Sequence, residues 1–472
     1  MNLLHKRNAL LFTLNLFLPI LLYSQSYSVQ DVVTAGLEHS GQVEIARMEA
    51  HQAGIEADQA RARRWPEIGF QLSSSYLTNP PEGITIHKGE LGYAPSPGSE
   101  APTAVPDQDY TIMEDPENTY FQLNLRMDQP LFTWGKIQAG IDAAEAGYRA
   151  ASHELRGARE SLGYDLRLAY FGIVSGRQTV DRLGEALEIM EEIVADNQRS
   201  YDEGLINLQS LLEARSRLAE LEASYYQASE GLETAYTAVQ YYSGLDLREA
   251  ELTSAIRQEL PDMQLEALTE LAREHSPDLA ALRQRHQQAR INTQVTDTSG
   301  LFRPDFALNL NLELSGGRIP FVSPNWIGNW DANLIISIGT QMNVFDSGRS
   351  SASQRSAETS QAIAAQGVLE MEQGLQLQVR RSIEQVRSAY YAMLQRQAQM
   401  LYTREQARNA EVSYENELIT RIERRSARLA FISSDISYIM SRYQYEQALQ
   451  NLEYLIGFGL RENPEGPETR EE

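Results

Sequence analysis

The chain contains no cysteine. Disulfides, thiolate metal sites and lipidation of an N-terminal cysteine are therefore excluded. Positive charge is scarce: 41 Lys and Arg stand against 65 Asp and Glu, for a formal net charge of −24. A phosphate-binding surface must be cationic, which argues against nucleic acid as a partner. Only 42% of the residues are hydrophobic and no long apolar run comes after residue 22. A membrane-crossing helix needs about 20 apolar residues, so none is expected in the body of the chain. Histidine is sparse as well, seven in 472 residues, and His39 and His275 lack a partner at metal-ligand spacing. No Gly-x-Ser-x-Gly, His-Glu-x-x-His or Walker pattern occurs. An enzyme, a cofactor and a bound metal are not expected.

What is present begins with an address. Lys6 and Arg7 precede an apolar run from Leu10 to Leu22, and Tyr23-Ser24-Gln25-Ser26 comes next. That is the order of a secretory signal peptide, expected at residues 1–24. An exported chain without apolar helices can enter a membrane only as strands.

The body is an internal duplication. Phe132, Gly135 and Lys136 recur 213 residues later as Phe345, Gly348 and Arg349, and Gly244 recurs as Gly457. Glu38-His39-Ser40 meets Glu274-His275-Ser276 at a larger offset, so the halves differ by insertions between two strands. Such a period exceeds solenoid repeats, and each half reads as one supersecondary unit that needs its partner. The first repeat is placed at residues 25–244, with strands 66–77 and 119–132 and a helical hairpin 134–243. An inter-repeat linker is placed at 245–264. The second repeat is placed at 265–457, with strands 304–315 and 330–345 and a hairpin 350–456, before an acidic, disordered tail at 458–472. Val29 to about Arg63 and Leu265 to about Asp297 are each read as one continuous helix.

In the strands, Phe70, Phe121, Leu123, Leu125, Leu308, Leu310 and Leu312 share one parity, while Gln122, Asn124, Asn309 and Asn311 occupy the other. A length of about 10 residues with one apolar face suits a transmembrane β-strand. A soluble sandwich shows the same alternation. Four strands among so much helix cannot bury both sides of a sheet, whereas four from each of several copies could close a barrel. Trp330 and Tyr120 are expected at an aromatic girdle, and residues 79–117, rich in Pro, Gly and acid, as a loop of turns or disorder on the surface. The proline-free tracts carry seams stepping by three and four, such as Ile141, Ala144, Tyr148, Ala151 and Leu155. An ordinary antiparallel coiled coil would carry them too.

The order helix, strand, strand, long helix, shorter helix, repeated between Tyr27 and Leu460, resembles the TolC-like outer-membrane efflux protein family (outer membrane factors). So does the run Tyr201-x-x-Gly204, Leu211-Leu212-x-Ala214, Leu218, Tyr225 and Ala228. The resemblance implies a mostly α fold with transmembrane β: a homotrimer whose 12-stranded β-barrel continues into a 12-helix periplasmic α-barrel. It implies an outer-membrane exit duct, extending into the periplasm and surrounded by outer-membrane lipid, that conducts passively in a tripartite efflux or type I secretion system. The partners would be a periplasmic adaptor (membrane fusion) protein and an inner-membrane efflux pump or ABC transporter.

The hairpin tips would form the entrance, with Asp202, Glu203, Gly204, Leu205 and Ile206 in one and Glu417, Leu418, Ile419, Arg421, Arg424, Arg425 and Arg428 in the other. The second tip departs from the first in lacking a glycine and carrying four arginines. These are expected to meet Asp202, Glu203, Glu415 or Glu423 on neighbouring hairpins as a latch, or else to form a solvated or adaptor-docking face. The rival reading is a soluble periplasmic coiled-coil scaffold or adaptor, which shares the seams but needs no lipid-facing strands.

Overall fold

The computed structural model describes residues 26–95, 102–113, 117–298, 303–342 and 344–457. The expected signal peptide and acidic tail lie outside the described residues. The first half comprises β1 (Ser26–Tyr27), α1 (Val29–His39), α2 (Gly41–Ala62), β2 (Glu67–Tyr76), β3 (Ile84–Ile86), β4 (Tyr93–Ala94), β5 (Thr103–Ala104), β6 (Tyr110–Met113), β7 (Thr119–Phe132), α3 (Lys136–Asp202) and α4 (Leu208–Ser243). The second comprises β8 (Glu251–Leu252), α5 (Leu265–His275), α6 (Pro277–Thr298), β9 (Asp305–Gly316), β10 (Trp330–Gln341), α7 (Arg349–Glu415) and α8 (Arg421–Ile456). α3 and α7 have 67 residues each, and α4 and α8 have 36 each. The duplication is thus preserved in helix length, although the strand-to-strand insertions differ.

The chain forms two compact units, one containing residues up to 46 with 155–276 and 373 onward, the other containing 47–154 and 277–372. The first unit has two apolar clusters. In one, Leu166, Tyr170 and Ile173 of α3 pack with Val32 and Val33 of α1 and Val239 of α4. In the other, Val379 and Val386 of α7 meet Ile432, Tyr445, Leu449 and Leu452 of α8 and Ala272 of α5. Fully burying each large aliphatic contributes about 1.5–3 kcal/mol. Close approach also requires a small residue: a Cβ at Gly36 would lie 2.2 Å from Leu166 Cδ1.

The two expected continuous helices are each broken. Ser40 and Ser276 take extended backbone, with ψ of 122° and 116°. Pro277 excludes α geometry from the residue before it and then suits the first turn of α6. The Glu-His-Ser triplet recognised in both halves is therefore a helix break. Its histidines have a packing role as well. The His39 ring lies against Gly244 and His275 against Gly457, where an added Cβ would come within 3.5 Å and 2.6 Å respectively. Both glycines are left-handed, with φ of 72° and 80°.

In the second unit four antiparallel strands are ordered β10-β9-β7-β2. Their register aligns Phe70, Leu125, Leu312 and Leu334 in one row and Ile68, Met127, Leu310 and Ile336 in another. Residues opposite one another share a face, so these rows are one apolar surface. The other face carries rows such as Gln71, Asn124, Glu313 and Asn333.

Three expectations change here. Tyr120 pairs with Ser75 and falls on the polar face, whereas Trp330 shares a row with Phe121; alternation forbids both aromatics from joining one girdle row. β10 ends at Gln341, short of residue 345. Beyond it Asp346 accepts from the backbone N–H groups of Gly348 (3.0 Å) and Ser350 (2.9 Å), which starts α7. Finally, much of 79–117 is ordered as nested antiparallel pairs, β3 with β6 and β4 with β5, continuing the β2–β7 hairpin. The alternation of Ile84-Thr85-Ile86 and Tyr110-Thr111-Ile112 supports this ribbon despite the surrounding prolines.

Candidate functional site

Two regions can act: the hairpin tips of the first unit and the apolar sheet face of the second. Each tip closes by the same backbone device. In the first, the Leu205 N–H donates to Ser200 O (2.7 Å) and Gly204 N–H to Tyr201 O (2.9 Å). In the second, Leu418 N–H donates to Ser413 O (2.9 Å) and Glu417 N–H to Tyr414 O (2.9 Å). This is the Schellman pattern, which needs a left-handed residue just past the helix. Gly204 supplies it at φ 76°, and Glu417 supplies it at φ 59°.

Each second helix then starts on a side-chain cap. Asn207 Oδ1 accepts from Ser210 N–H at 2.8 Å. Thr420 Oγ1 accepts from Glu423 N–H at 3.2 Å, while the Glu423 carboxylate accepts from Thr420 N–H at 2.7 Å. These bonds hold the Glu423 carboxyl below its ordinary pKa. The caps leave Leu205 and Leu418 projecting, 72% and 76% exposed, with Ile206 and Ile419 half-buried beside them.

The arginines pair with carboxylates other than those expected. Arg424 donates to Glu411 (3.0 Å), and its guanidinium lies over the Tyr414 ring at 4.4 Å. Arg425 meets Asp196 and Glu192 of α3, and its side chain is only 13% exposed. Arg428 Nε donates to Glu185 at 2.9 Å, and Arg182 joins Glu185 (3.0 Å) to Asp435 (2.8 Å). Arg421 is exposed, and its hydrogen bond with Tyr414 is the main cause of its raised pKa.

Asp202 accepts instead from Gln198, at 2.8 Å. The physical reason is register: α8 runs antiparallel to α3, so Arg425 and Arg428 lie level with residues one to several turns inside α3 and not with its end. The result is a charged seam joining the two hairpins of one chain. Within it, burial raises the pKa of Glu185, but Arg428 and Arg182 outweigh that and lower it overall.

A second ionic feature was not singled out from sequence. Arg257, in the linker, donates to Glu446 (2.7 Å) and also pairs with Glu453. Glu446 is fully buried and Glu453 is 8% exposed. Burial opposes the guanidinium charge, yet the two carboxylates raise its pKa overall. On the other side Arg177 of α3 donates to Tyr236 Oη (2.6 Å), to Ala250 O (2.8 Å) and to Leu247 O. Two arginines thereby pin the linker to α3 and α8. The available signal was the pair of glutamates seven residues apart, each directly after a seam residue, Tyr445 or Leu452. Tyr445 itself donates to Glu259 O, and burial pushes its hydroxyl up to about 12.

On the sheet, Phe70, Phe121, Leu123, Leu125, Leu310 and Leu312 are brought onto one surface by pairing, and Leu308 joins it opposite Ile338. Ile68, Phe70, Leu72, Ile336 and Ile338 are each more than 60% exposed in the single chain. On the other face Gln122 donates to Glu313 at 2.8 Å. Among the described residues, no helix is long and apolar enough to cross a membrane and no cluster of His, Asp and Glu could hold a metal ion.

The chain matches the family described as outer membrane efflux protein over residues 33–245 and 268–458. No curated protein sequence matches it. Among solved structures it is similar to the CmeC outer membrane channel of Campylobacter jejuni, with a TM-score of 0.71 and 17% identity over 92% of this chain and 87% of that one. It is similar also to the outer membrane protein VceC of Vibrio cholerae, with a TM-score of 0.68 and 18% identity over 92% and 96% of the two chains. For the open state of the MtrE outer membrane channel of Neisseria gonorrhoeae the TM-score is 0.66, at 16% identity over 92% and 89%.

Proposed function

Because the chain belongs to the outer membrane efflux protein family, and so is an outer-membrane channel and not an enzyme, we propose that three copies close a 12-stranded barrel over a 12-helix periplasmic tunnel. The observation that carries this is the sheet: one face is mostly apolar, and among the described residues β2 and β10 each have a neighbour on one side only. In lipid an unpaired strand edge costs several kcal/mol per group, so the edges must meet strands of other copies. Phe70, Phe121, Leu123, Leu125, Leu308, Leu310 and Leu312 then face lipid. Gln122, Asn124, Asn309 and Asn311 face the water-filled interior, where selection is coarse and set by size and charge.

The repeats at 25–244 and 265–457, joined by the linker at 245–264, are the units that alternate around the ring. The tips Asp202 to Ile206 and Glu417 to Arg428 surround the periplasmic entrance. With no energy-coupling motif in the sequence, conduction is passive, and a periplasmic adaptor with an inner-membrane pump or ABC transporter supplies the work. The purified protein is expected to give discrete conductance steps in planar bilayers. Recovery of the native protein with soluble periplasm, and no conductance, would replace this reading with the scaffold.

A further inference from the structure

The loop between β9 and β10, residues 317–329, contains no Asp or Glu, and its one charged residue, Arg318, donates from Nε to Glu117 at 3.0 Å. The excursion between β2 and β7, at the same end of the sheet, holds eight Asp and Glu over residues 79–117. In the β9–β10 loop Phe321, Val322 and Ile327 are 87%, 76% and 72% exposed. Single exposed apolar residues are ordinary, whereas several grouped together mark an interaction surface. They are also held in place. Phe321 and Asn325 have φ of 64° and 54°, and a bulky residue in the left-handed region is a steric outlier. The Val322 and Ser323 N–H groups donate to Ile319 O (3.3 and 3.0 Å), Gly328 N–H donates to Asn325 O (3.2 Å), and Gly317 N–H donates to Asn329 Oδ1 (2.8 Å).

The loop continues the apolar face of the sheet. Trp330 Nε1 donates to Arg318 O at 2.9 Å, and the indole lies over Gly316, where an added Cβ would come within 2.6 Å of the ring. Gly316 shares its row with Phe121, on the apolar face. Trp326 meets Trp330 edge-on at 6.3 Å, and Phe321 packs on Trp326 at 4.7 Å. An aromatic path therefore runs from the sheet face to the exposed Phe321. Along β10, Trp330 stands six residues (336 − 330 = 6) from Ile336, the partner of Leu310. At about 3.4 Å per residue and a strand tilt of about 35–45°, that is roughly 14–17 Å along the bilayer normal, just beyond half of an apolar band about 25 Å tall. We propose that this loop is an anchor at the bilayer surface: Phe321, Val322, Trp326 and Ile327 enter the edge of the outer membrane's apolar core, against lipid acyl chains. The ring contacts fold the loop back to the level of Trp330, where aromatic side chains favour the boundary between lipid and water. Lacking carboxylates, it meets no repulsion from anionic headgroups, and the acidic excursion beside it stays in water. The anchor rests on the lipid-facing reading of the sheet and extends it beyond the strands.

Because the chain has no cysteine, a fluorophore can be placed singly in the full-length protein at Val322→Cys, at Ile336→Cys on the sheet face, or at Lys88→Cys on the acidic excursion. Each labelled protein is reconstituted in phosphatidylcholine vesicles whose acyl chains carry bromine, a quencher, near the glycerol end or the methyl end. Glycerol-end bromine should quench the label at position 322, and methyl-end bromine the label at 336. The label at 88 should respond to neither and be quenched by aqueous iodide. Adding Phe321→Asp and Ile327→Asp should abolish lipid quenching at 322 and leave that at 336 unchanged; aspartate tolerates the left-handed turn, so the loop keeps its backbone. A label at 322 that is open to iodide and untouched by bromine, beside a quenched label at 336, overturns the anchor and leaves the sheet reading standing. One shielded from both quenchers places the loop against another copy and overturns the anchor as well. If the label at 336 also escapes bromine, the lipid-facing sheet fails and the anchor fails with it.

Discussion

Glu417 occupies in the second tip the left-handed position that Gly204 occupies in the first, at φ 59° against 76° and 213 residues further on. A side chain in that conformation costs about 1–2 kcal/mol, partly offset because glycine loses more chain entropy on folding. Glu417→Gly should therefore stabilise the second hairpin by about 0.5–1 kcal/mol, and Gly204→Ala should destabilise the first by a similar amount. Hydrogen exchange of the Leu205 and Leu418 amides in the two variants measures both effects. Faster exchange at Leu418 in Glu417→Gly would show that the glutamate stabilises the turn by a contact of its own.

The arginines of the second tip should differ sharply in effect. Arg425 and Asp196 are 13% and 12% exposed, and removing one partner of a buried pair costs about 3–5 kcal/mol. Arg424 is paired at a more open site with Glu411, where about 0–1 kcal/mol is expected. Chemical denaturation of Arg425→Ala and Arg424→Ala should rank them in that order. Equal losses would mean that the seam between α3 and α8 does not discriminate by burial.

Acid should weaken the same seam. The pKa of Glu185 is lowered in the folded chain, so its contribution is present above the unfolded value, about 4.3, and is lost as pH falls through the lower folded value. Glu185→Gln removes that titration. The variant should be less stable at neutral pH and show a shallower loss between about pH 5 and pH 3. Parallel pH profiles for variant and native protein would assign the acid limb to other carboxylates.

The two sheet faces should tolerate charge unequally. Leu310 stands between Met127 and Ile336, and its neighbour Asn311 between Arg126 and Ile335. Leu310→Arg near the middle of the bilayer should lose about 2–4 kcal/mol and block assembly. Asn311→Arg should assemble and alter ion selectivity. Heat-resistant oligomers on gels read the first outcome; normal oligomers from Leu310→Arg would refute the lipid-facing assignment.

How much of this the chain announces depends on the range of the forces involved. Alternation in Phe121–Met127 and Phe306–Leu314 specified strands and faces, because side chains on a strand point to opposite sides whatever the partner. Tyr120 was misplaced when it was grouped with Trp330 as an aromatic, since parity and not residue type decides the face. The breaks at Ser40 and Ser276 were missed because serine tolerates both helix and extended backbone. Only Pro277 marked one of them. The ion pairs escaped for another reason: Arg257 with Glu446, and Arg425 with Asp196, join residues 189 and 229 positions apart. Composition cannot set the register of two antiparallel helices to within a turn, and that register chooses the partners.

The two one-sided strands of the sheet also bear on the lone chain before assembly. In the proposed assembly β2 and β10 gain neighbours from other copies; a lone copy carries raw backbone edges beside an oily surface, the same template that seeds cross-β aggregates. On the proposed assembly, a brief solitary lifetime limits that exposure. On the proposed assembly, overproduction should outrun the pairing of these edges, and the excess chain should aggregate through them.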